Sequence, residues 1–372
     1  MRLALRELHR RPGRFLVATA ILGVIAVLLM FLGGLLDGLL ASSTGAYRAQ
    51  RADVIVYSAN ARESLVRSRV DSTDREAIEQ LRGVEAVGGL GSVQLGARPE
   101  GDPQSRDLIS TVLFGYELAP AGLPDEPPAR GTVIADTSAR TDGVDEGDVL
   151  LLGPLRTPVE VVGFVDDTRY AGQASLWGSI ETWQDVITAN RPDRAFAGGA
   201  VQALVVWAGD VDAGELATTI DTATEGRTAS LTLDDAIDAL PGVEQQRSTF
   251  NQIIRATALV ALVVVALFFA LITVERTALY GILKAVGASS WTLFGGVVIQ
   301  ALVVTLTASV AGAGAALLLD AALPAGSIPF EVLSSRLTSS IVLMIVAAVI
   351  GSAFSLRRVL RIDPASAIGT AS

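Results

Sequence analysis

Few side chains in this sequence are equipped for covalent chemistry. Its 372 residues include no cysteine, one histidine (His9) and one lysine (Lys284). The long polar stretch from Ala41 to Phe250 has none of the three. Ser-His-Asp and Cys-His nucleophile arrangements and His/Cys zinc sites are therefore excluded from it. A Walker A loop needs a lysine followed by Ser or Thr, and Lys284 is followed by Ala285. The chain has no phosphate loop of its own, so any ATP and Mg²⁺ must be handled by a partner. Carboxylates remain. Asp142, Asp145, Glu146 and Asp148 offer oxygen ligands of the kind calcium takes, but their spacing is not that of an EF-hand and reads as a solvated turn. Asp166 and Asp167 would point to opposite faces of a strand, so they make no catalytic pair and read as a turn with a capping role. The chain is expected to bind no cofactor and no metal, and to be no enzyme by itself.

The elements that must carry these residues are set by hydrophobicity. Half the residues are apolar, and mean hydropathy is positive at +0.47. Four apolar runs stand out, Phe15 to Leu36, Ala256 to Val274, Leu293 to Leu319 and Leu337 to Leu356. Each approaches the roughly 20 residues that cross a ~30 Å hydrocarbon core as helix. The fold class expected is a membrane α-helical protein with four transmembrane helices and an inserted mixed α/β extracytoplasmic domain. The organisation reads as a cytoplasmic amphipathic helix (1–14), transmembrane helix 1 (15–40) and the extracytoplasmic domain (41–250). Transmembrane helix 2 (251–275), a cytoplasmic loop (276–292), transmembrane helix 3 (293–320), an outer loop (321–336), transmembrane helix 4 (337–356) and a cytoplasmic tail (357–372) follow. The first run exceeds a signal-peptide core and reads as a retained span.

Charge agrees with this layout. Arginines precede the first run, Arg276 and Lys284 lie between the second and third, and Arg357, Arg358 and Arg361 follow the fourth, so the positive-inside rule puts both termini in the cytoplasm. Between Ala41 and Phe250 there are 17 arginines against 33 carboxylates. That excess keeps an outer domain soluble and argues against nucleic acid as a partner. Asp37, Asp320 and Arg255 stand near the outer ends of their spans, where an ionisable residue is costly and often functional. Glu331, in the outer loop, would join the same rim. Gly34 and Gly38 form a small-xxx-small step suited to close helix approach, in a dimer or otherwise.

Within the outer domain, strands are expected at Asp53 to Tyr57, Val84 to Val93, Asp107 to Phe114 and Val201 to Trp207. A hairpin is expected from Val149 to Leu152 and Val159 to Phe164, with helices at Ser72 to Leu81, Asp212 to Ala223 and from Thr232. Four prolines from Pro120 to Ala129 mark a loop.

The cytoplasmic loop runs Glu275-Arg276-Thr277-Ala278-Leu279-Tyr280-Gly281-Ile282-Leu283-Lys284-Ala285-Val286-Gly287-Ala288-Ser289. Leu279, Ile282, Leu283 and Val286 fall on one helical face, Gly287 ends the helix, and Ser289 or Ser290 caps the next. This stretch resembles the loop signature E-R-x-x-x-x-x-x-L-K-A-x-G-A-S of the MacB/FtsX family of ABC-transporter permeases. Arg358 to Ala365 is similar to that family's closing R-x-x-x-x-D-P-A, and the order of one span, large domain and three spans also matches. The resemblance implies a homodimeric permease of the bacterial plasma membrane, among lipid, with two copies of a separate ABC ATPase docked on the loop. It makes Glu275, Arg276, Leu279, Ile282, Leu283 and Lys284 the coupling residues. Val162 to Tyr170, followed by Leu176-Trp177, resembles a segment of the family's haem-exporting, HrtB-type branch. That likeness implies Tyr170 as a haem contact; Tyr47 is a second candidate on position alone, with Asp37 and Glu331 at the rim. A tyrosinate ligates ferric iron. The function expected is ATP-driven export or extraction of an amphipathic substrate, haem the leading named one. The alternative is a mechanotransmission permease that activates an extracytoplasmic protein without transport.

Overall fold

The computed structural model describes residues 12–100, 108–196, 198–275, 277–323 and 328–360. The amphipathic helix expected over 1–14 and the tail after 360 lie essentially outside them. The chain divides into two units. One is built on Leu39–Gln246; the other takes the described residues of 12–38, 247–323 and 328–360.

The second unit is helical. α1 (Pro12–Arg48) enters it with its first part, and among the described residues four further helices belong to it. Among the described residues, four helices are long and apolar enough to cross a membrane: Phe15–Arg48, Val243–Glu275, Ser290–Ala322 and Ser334–Ala353. Their core follows helical spacing. Phe15, Ala18, Leu22, Ala26 and Leu29 meet Ala261, Val265, Phe269 and Ile272, with Val297, Ala301, Val304 and Ala308, and Met344 and Ala348. Close approach is bought with small residues: a side chain at Gly312 would sit 2.9 Å from the Ala26 Cβ, and one at Gly351 would sit 2.9 Å from the Leu262 carbonyl. The groove opened by Gly34 and Gly38 is filled by Pro329 and Phe330 of the same chain, whose ring stacks on Phe31 at 5.5 Å.

Among its described residues the Leu39–Gln246 unit carries nine strands: β1 (Val54–Ser58), β2 (Val84–Pro99), β3 (Ile109–Tyr116), β4 (Thr132–Asp136), β5 (Val149–Leu152), β6 (Thr157–Val165), β7 (Ala174–Ser179), β8 (Ala203–Ala208) and β9 (Thr228–Thr232). Its helices are α2 (Ser72–Glu79), α3 (Ile180–Asn190), α4 (Ala213–Ala223) and α5 (Leu233–Asp238). The long strand β2 serves two sheets. Its first half pairs with β8, giving the antiparallel order β2-β8-β1-β9. With α2 after β1 and α4 after β8, this is a split β-α-β arrangement. Its second half pairs with β3 and its last residues with β5, closing the ring β2-β3-β7-β4-β6-β5. A closed ring leaves no free edge. One face of the split sheet packs Val54, Val56, Leu204 and Val206 against Ile78, Leu216 and Ile220 of α2 and α4. The other packs Ile55, Tyr57, Ala203 and Val205 against Ala46 and Tyr47 of α1 and Ala236 of α5.

Several sequence expectations shift. The strand expected over Val84 to Val93 continues to Pro99 because its far end joins the ring. Strands β4, β7 and β9 and helix α3 were not anticipated; β7 is buried along all six residues and so shows no alternation. The turn read at Asp166 and Asp167 is present: both lie in a bend after the end of β6, and Asp167 has a left-handed φ of 56°.

Candidate functional site

The loop after β6 is held by a buried carboxylate. Asp136, the last residue of β4, is almost fully buried and accepts four hydrogen bonds: from the Ser138 amide (2.9 Å) and hydroxyl (2.5 Å), and from the Thr168 amide (2.7 Å) and hydroxyl (2.9 Å). A buried charge needs such donors to replace its water. The Thr168 and Ser175 hydroxyls share a hydrogen bond at 2.8 Å, and the Trp177 indole N–H donates to the Ser175 hydroxyl at 2.8 Å. This chain of contacts fixes Thr168, and with it Tyr170 two residues on.

Tyr170 enters an aromatic cluster. Trp177 stacks on Phe114 at 4.7 Å, Phe114 meets Tyr170 edge-on at 5.3 Å, and Tyr170 stacks on Tyr47 at 5.9 Å with 18° between planes. Offset-stacked and edge-to-face rings at these separations are the favoured geometries. Tyr47 is fully buried, and its hydroxyl shares a 3.0 Å hydrogen bond with that of Tyr57. Tyr170 is half-buried, and burial pushes its phenol up to about 12. Tyr57 is raised too, by burial first. The two tyrosines singled out from the sequence are thus neighbours, one lining the surface and the other backing it.

Asp37 and Glu331 belong to the helical unit. Asp37, 6% exposed in its side chain, accepts two hydrogen bonds from the Arg336 guanidinium, at 2.9 Å from Nε and 2.5 Å from the second nitrogen. A side chain at Gly33 would collide with Arg336, so that glycine clears its path. Glu331 is exposed, and its amide donates to the Gly34 carbonyl at 3.1 Å. Asp320 and Arg255 are exposed. Arg336 was missed from sequence. The signal was an arginine at the start of an apolar run, where an ionisable residue is costly and calls for a counter-ion.

α6 (Val243–Glu275) is followed by the short helix α7 (Thr277–Ala285), then α8 (Ser290–Ala322) and α9 (Ser334–Leu360). Gly287 takes a φ of 102°, and the Ser289 hydroxyl accepts from the Thr292 amide at 3.1 Å to cap α8. The face expected from Leu279 to Val286 divides. Leu283 packs with Tyr280 and Leu293, while Leu279 (43%), Ile282 (52%) and Val286 (82%) are exposed, as is Trp291 (71%). Glu275 precedes this stretch in sequence and Lys284 lies within it; Arg276 lies outside the described residues. Trp291 was not singled out from sequence, where it fell in the loop before the apolar run that starts at Leu293. Among the described residues no group of three or more His, Cys, Asp or Glu is placed to hold a metal, and Asp148 instead accepts from the Asp145 amide at 2.8 Å.

Comparison with known proteins matches residues 253–364 to the model of the FtsX-like permease C-terminal domain. Over 381 residues the chain is 21% identical to the "Putative hemin transport system permease protein HrtB" of Staphylococcus haemolyticus, covering 99% of each. It is 26% identical over 374 residues to an "Uncharacterized ABC transporter permease" of Mycobacterium tuberculosis, covering 98% of each. Among solved structures, the periplasmic region of MacB from Actinobacillus actinomycetemcomitans aligns at 13% identity with a TM-score of 0.35, over 49% of this chain and 89% of that one. The extracellular domain of the ABC-type transporter YknZ aligns at 13% identity with a TM-score of 0.32, over 48% and 98%.

Proposed function

We propose, from the premise that this chain belongs to the MacB/FtsX family of ABC-transporter permeases, that it is the membrane subunit of an ATP-driven exporter of an amphipathic substrate, with haem the substrate. The observation that carries the haem reading is the end-to-end similarity to a putative hemin permease. In this reading two copies of the chain pair in the plasma membrane with both termini inside, and two copies of an ATPase supply the ATP chemistry that this chain lacks. The exposed apolar side chains Leu279, Ile282 and Val286 dock that ATPase, and Glu275, Arg276 and Lys284 complete the coupling set in sequence.

Tyr170 meets the substrate in this proposal. A porphyrin offers a flat apolar face, which suits an aromatic seat, and ferric iron takes a phenolate. Tyr47, whose hydroxyl is occupied, supports Tyr170 from behind. A phenol is protonated at neutral pH, and burial pushes that of Tyr170 further up, so iron binding there must release a proton. Asp37 and Glu331 serve at the rim, where Asp37 is available only when Arg336 releases it.

The test is a hemin titration of the detergent-purified full chain, followed by the Soret band. A stoichiometric shift that Tyr170→Phe weakens at least tenfold supports the reading. No specific shift removes haem and leaves two readings, export of another amphipathic substrate and the mechanotransmission alternative, in which the partner ATPase drives the outer domain to activate another protein.

A further inference from the structure

The loop that carries Tyr170 is fixed from a second side, by the end of α1. The Ala171 and Gly172 amides donate to the Ser43 and Ser42 carbonyls at 3.1 and 2.9 Å, and the Ala46 amide donates to the Arg169 carbonyl at 3.1 Å. Thr44 and Tyr170 face each other as an antiparallel bridge pair. The loop backbone therefore lies along the helix as a strand lies along its neighbour, an approach that helical side chains ordinarily prevent. Gly45 is what allows it. A Cβ there would sit 2.7 Å from the Asp167 carbonyl oxygen and 2.9 Å from both the amide nitrogen and the carbonyl oxygen of Arg169. All three are backbone atoms, and none can rotate aside. The ion pair of Arg48 with Asp167, at 2.6 Å, is exposed at both ends and adds little.

We propose that Gly45 is a positioning residue for Tyr170, seating loop 166–173 on α1 so that the Tyr170 ring is set by the helix as well as by the barrel. This rests on the reading in which Tyr170 meets the substrate. The helix supplies both the seat, at Gly45, and the backing ring, at Tyr47 two residues on. Asp136, through Thr168, holds the same loop from the barrel side. Any shift of the last turns of α1 consequently moves the substrate contact.

A substitution separates this role from an ordinary helical glycine. Alanine is the better helix former, so α1 alone gains from Gly45→Ala. Gly23, also helical in α1, has nothing within 4 Å of where its Cβ would lie, so Gly23→Ala is the matched control.

The experiment is amide hydrogen exchange on the full-length permease in detergent, with hemin titration of the same samples. In Gly45→Ala, protection at residues 171–172 and hemin affinity should each fall at least tenfold, while β1 and β8 stay protected; Gly23→Ala should change neither. Unchanged protection at 171–172, or lost protection with unchanged hemin affinity, overturns the proposal. If wild type gives no Soret shift, the haem reading fails and the exchange result alone decides the seat. If Gly45→Ala does not fold, the wild-type protein decides: the 171–172 amides must exchange with the last turns of α1, and exchange at the rate of an open loop overturns the proposal.

Discussion

Tyr47 lies parallel to Tyr170, 5.9 Å away, yet only Tyr170 reaches the surface. The two residues should therefore fail differently. Tyr47→Phe removes a buried hydroxyl and leaves that of Tyr57 without its partner, a loss of about 1–2 kcal/mol in stability. Hemin affinity should change less than threefold. Tyr170→Phe should leave the melting temperature nearly unchanged and weaken hemin at least tenfold. Thermal melts and Soret titrations of both variants check this, and the reverse pattern would exchange their roles.

A pH dependence follows from the phenol itself. Tyr170 is protonated throughout the neutral range, and burial, which pushes it up to about 12, carries that state to higher pH, so a phenolate–iron bond would release one proton. Hemin affinity should then rise about tenfold per pH unit between pH 6 and 9, a slope that Tyr170→Phe abolishes. Stability moves the other way. The folded protein holds the Tyr170 and Tyr57 protons more tightly than the unfolded chain does, so their contribution is complete below pH ~10 and is lost as pH rises toward 12 and beyond. Urea melts at pH 9, 10 and 11 should show a decline beginning near pH 10.

The Asp37–Arg336 pair predicts an asymmetry. Asp37 is 6% exposed and Arg336 31%, so removing the arginine strands a buried carboxylate, whereas removing the carboxylate leaves a guanidinium that reaches water. Arg336→Ala should cost about 2–4 kcal/mol and Asp37→Ala clearly less, with the double variant below the sum. Detergent-phase unfolding of the three proteins measures it, and equal costs would show that both groups reach water alike.

How far these relationships were legible depends on their sequence separation. The four long helices, the loop helix ending at Gly287 and the cap at Ser289 are local patterns, and the apolar spacing carries them. The pairing of Asp37 with Arg336 joins residues 299 positions apart, and nothing at either position names the other. Asp136 likewise gains its role only when Thr168, 32 residues on, folds against it. The ring of strands was hidden for the same reason: it closes through Ala97 to Pro99 meeting Leu150 to Leu152. Tyr47 and Tyr170 were named separately, and only the loop seated at Gly45 makes them one cluster.

The exposed surface of the short helix and its neighbour gives the last prediction. Ile282, Val286 and Trp291 are exposed, whereas Tyr280 is packed on Leu293. Charged substitutions at the exposed positions should leave the fold intact and remove the apolar contact that a docking partner desolvates. Ile282→Asp and Val286→Asp should each reduce co-purification with the ABC ATPase partner proposed above by at least tenfold, with the melting temperature of the permease alone unchanged. Tyr280→Ala should instead lower that temperature, because it empties the small core under α7, at about 2–4 kcal/mol for a buried aromatic of this size. Trp291→Ala separates docking from membrane anchoring: an exposed tryptophan at a helix start also suits the lipid headgroup region. Lost ATPase co-purification with normal membrane insertion assigns Trp291 to the docking surface, and the opposite result assigns it to the lipid.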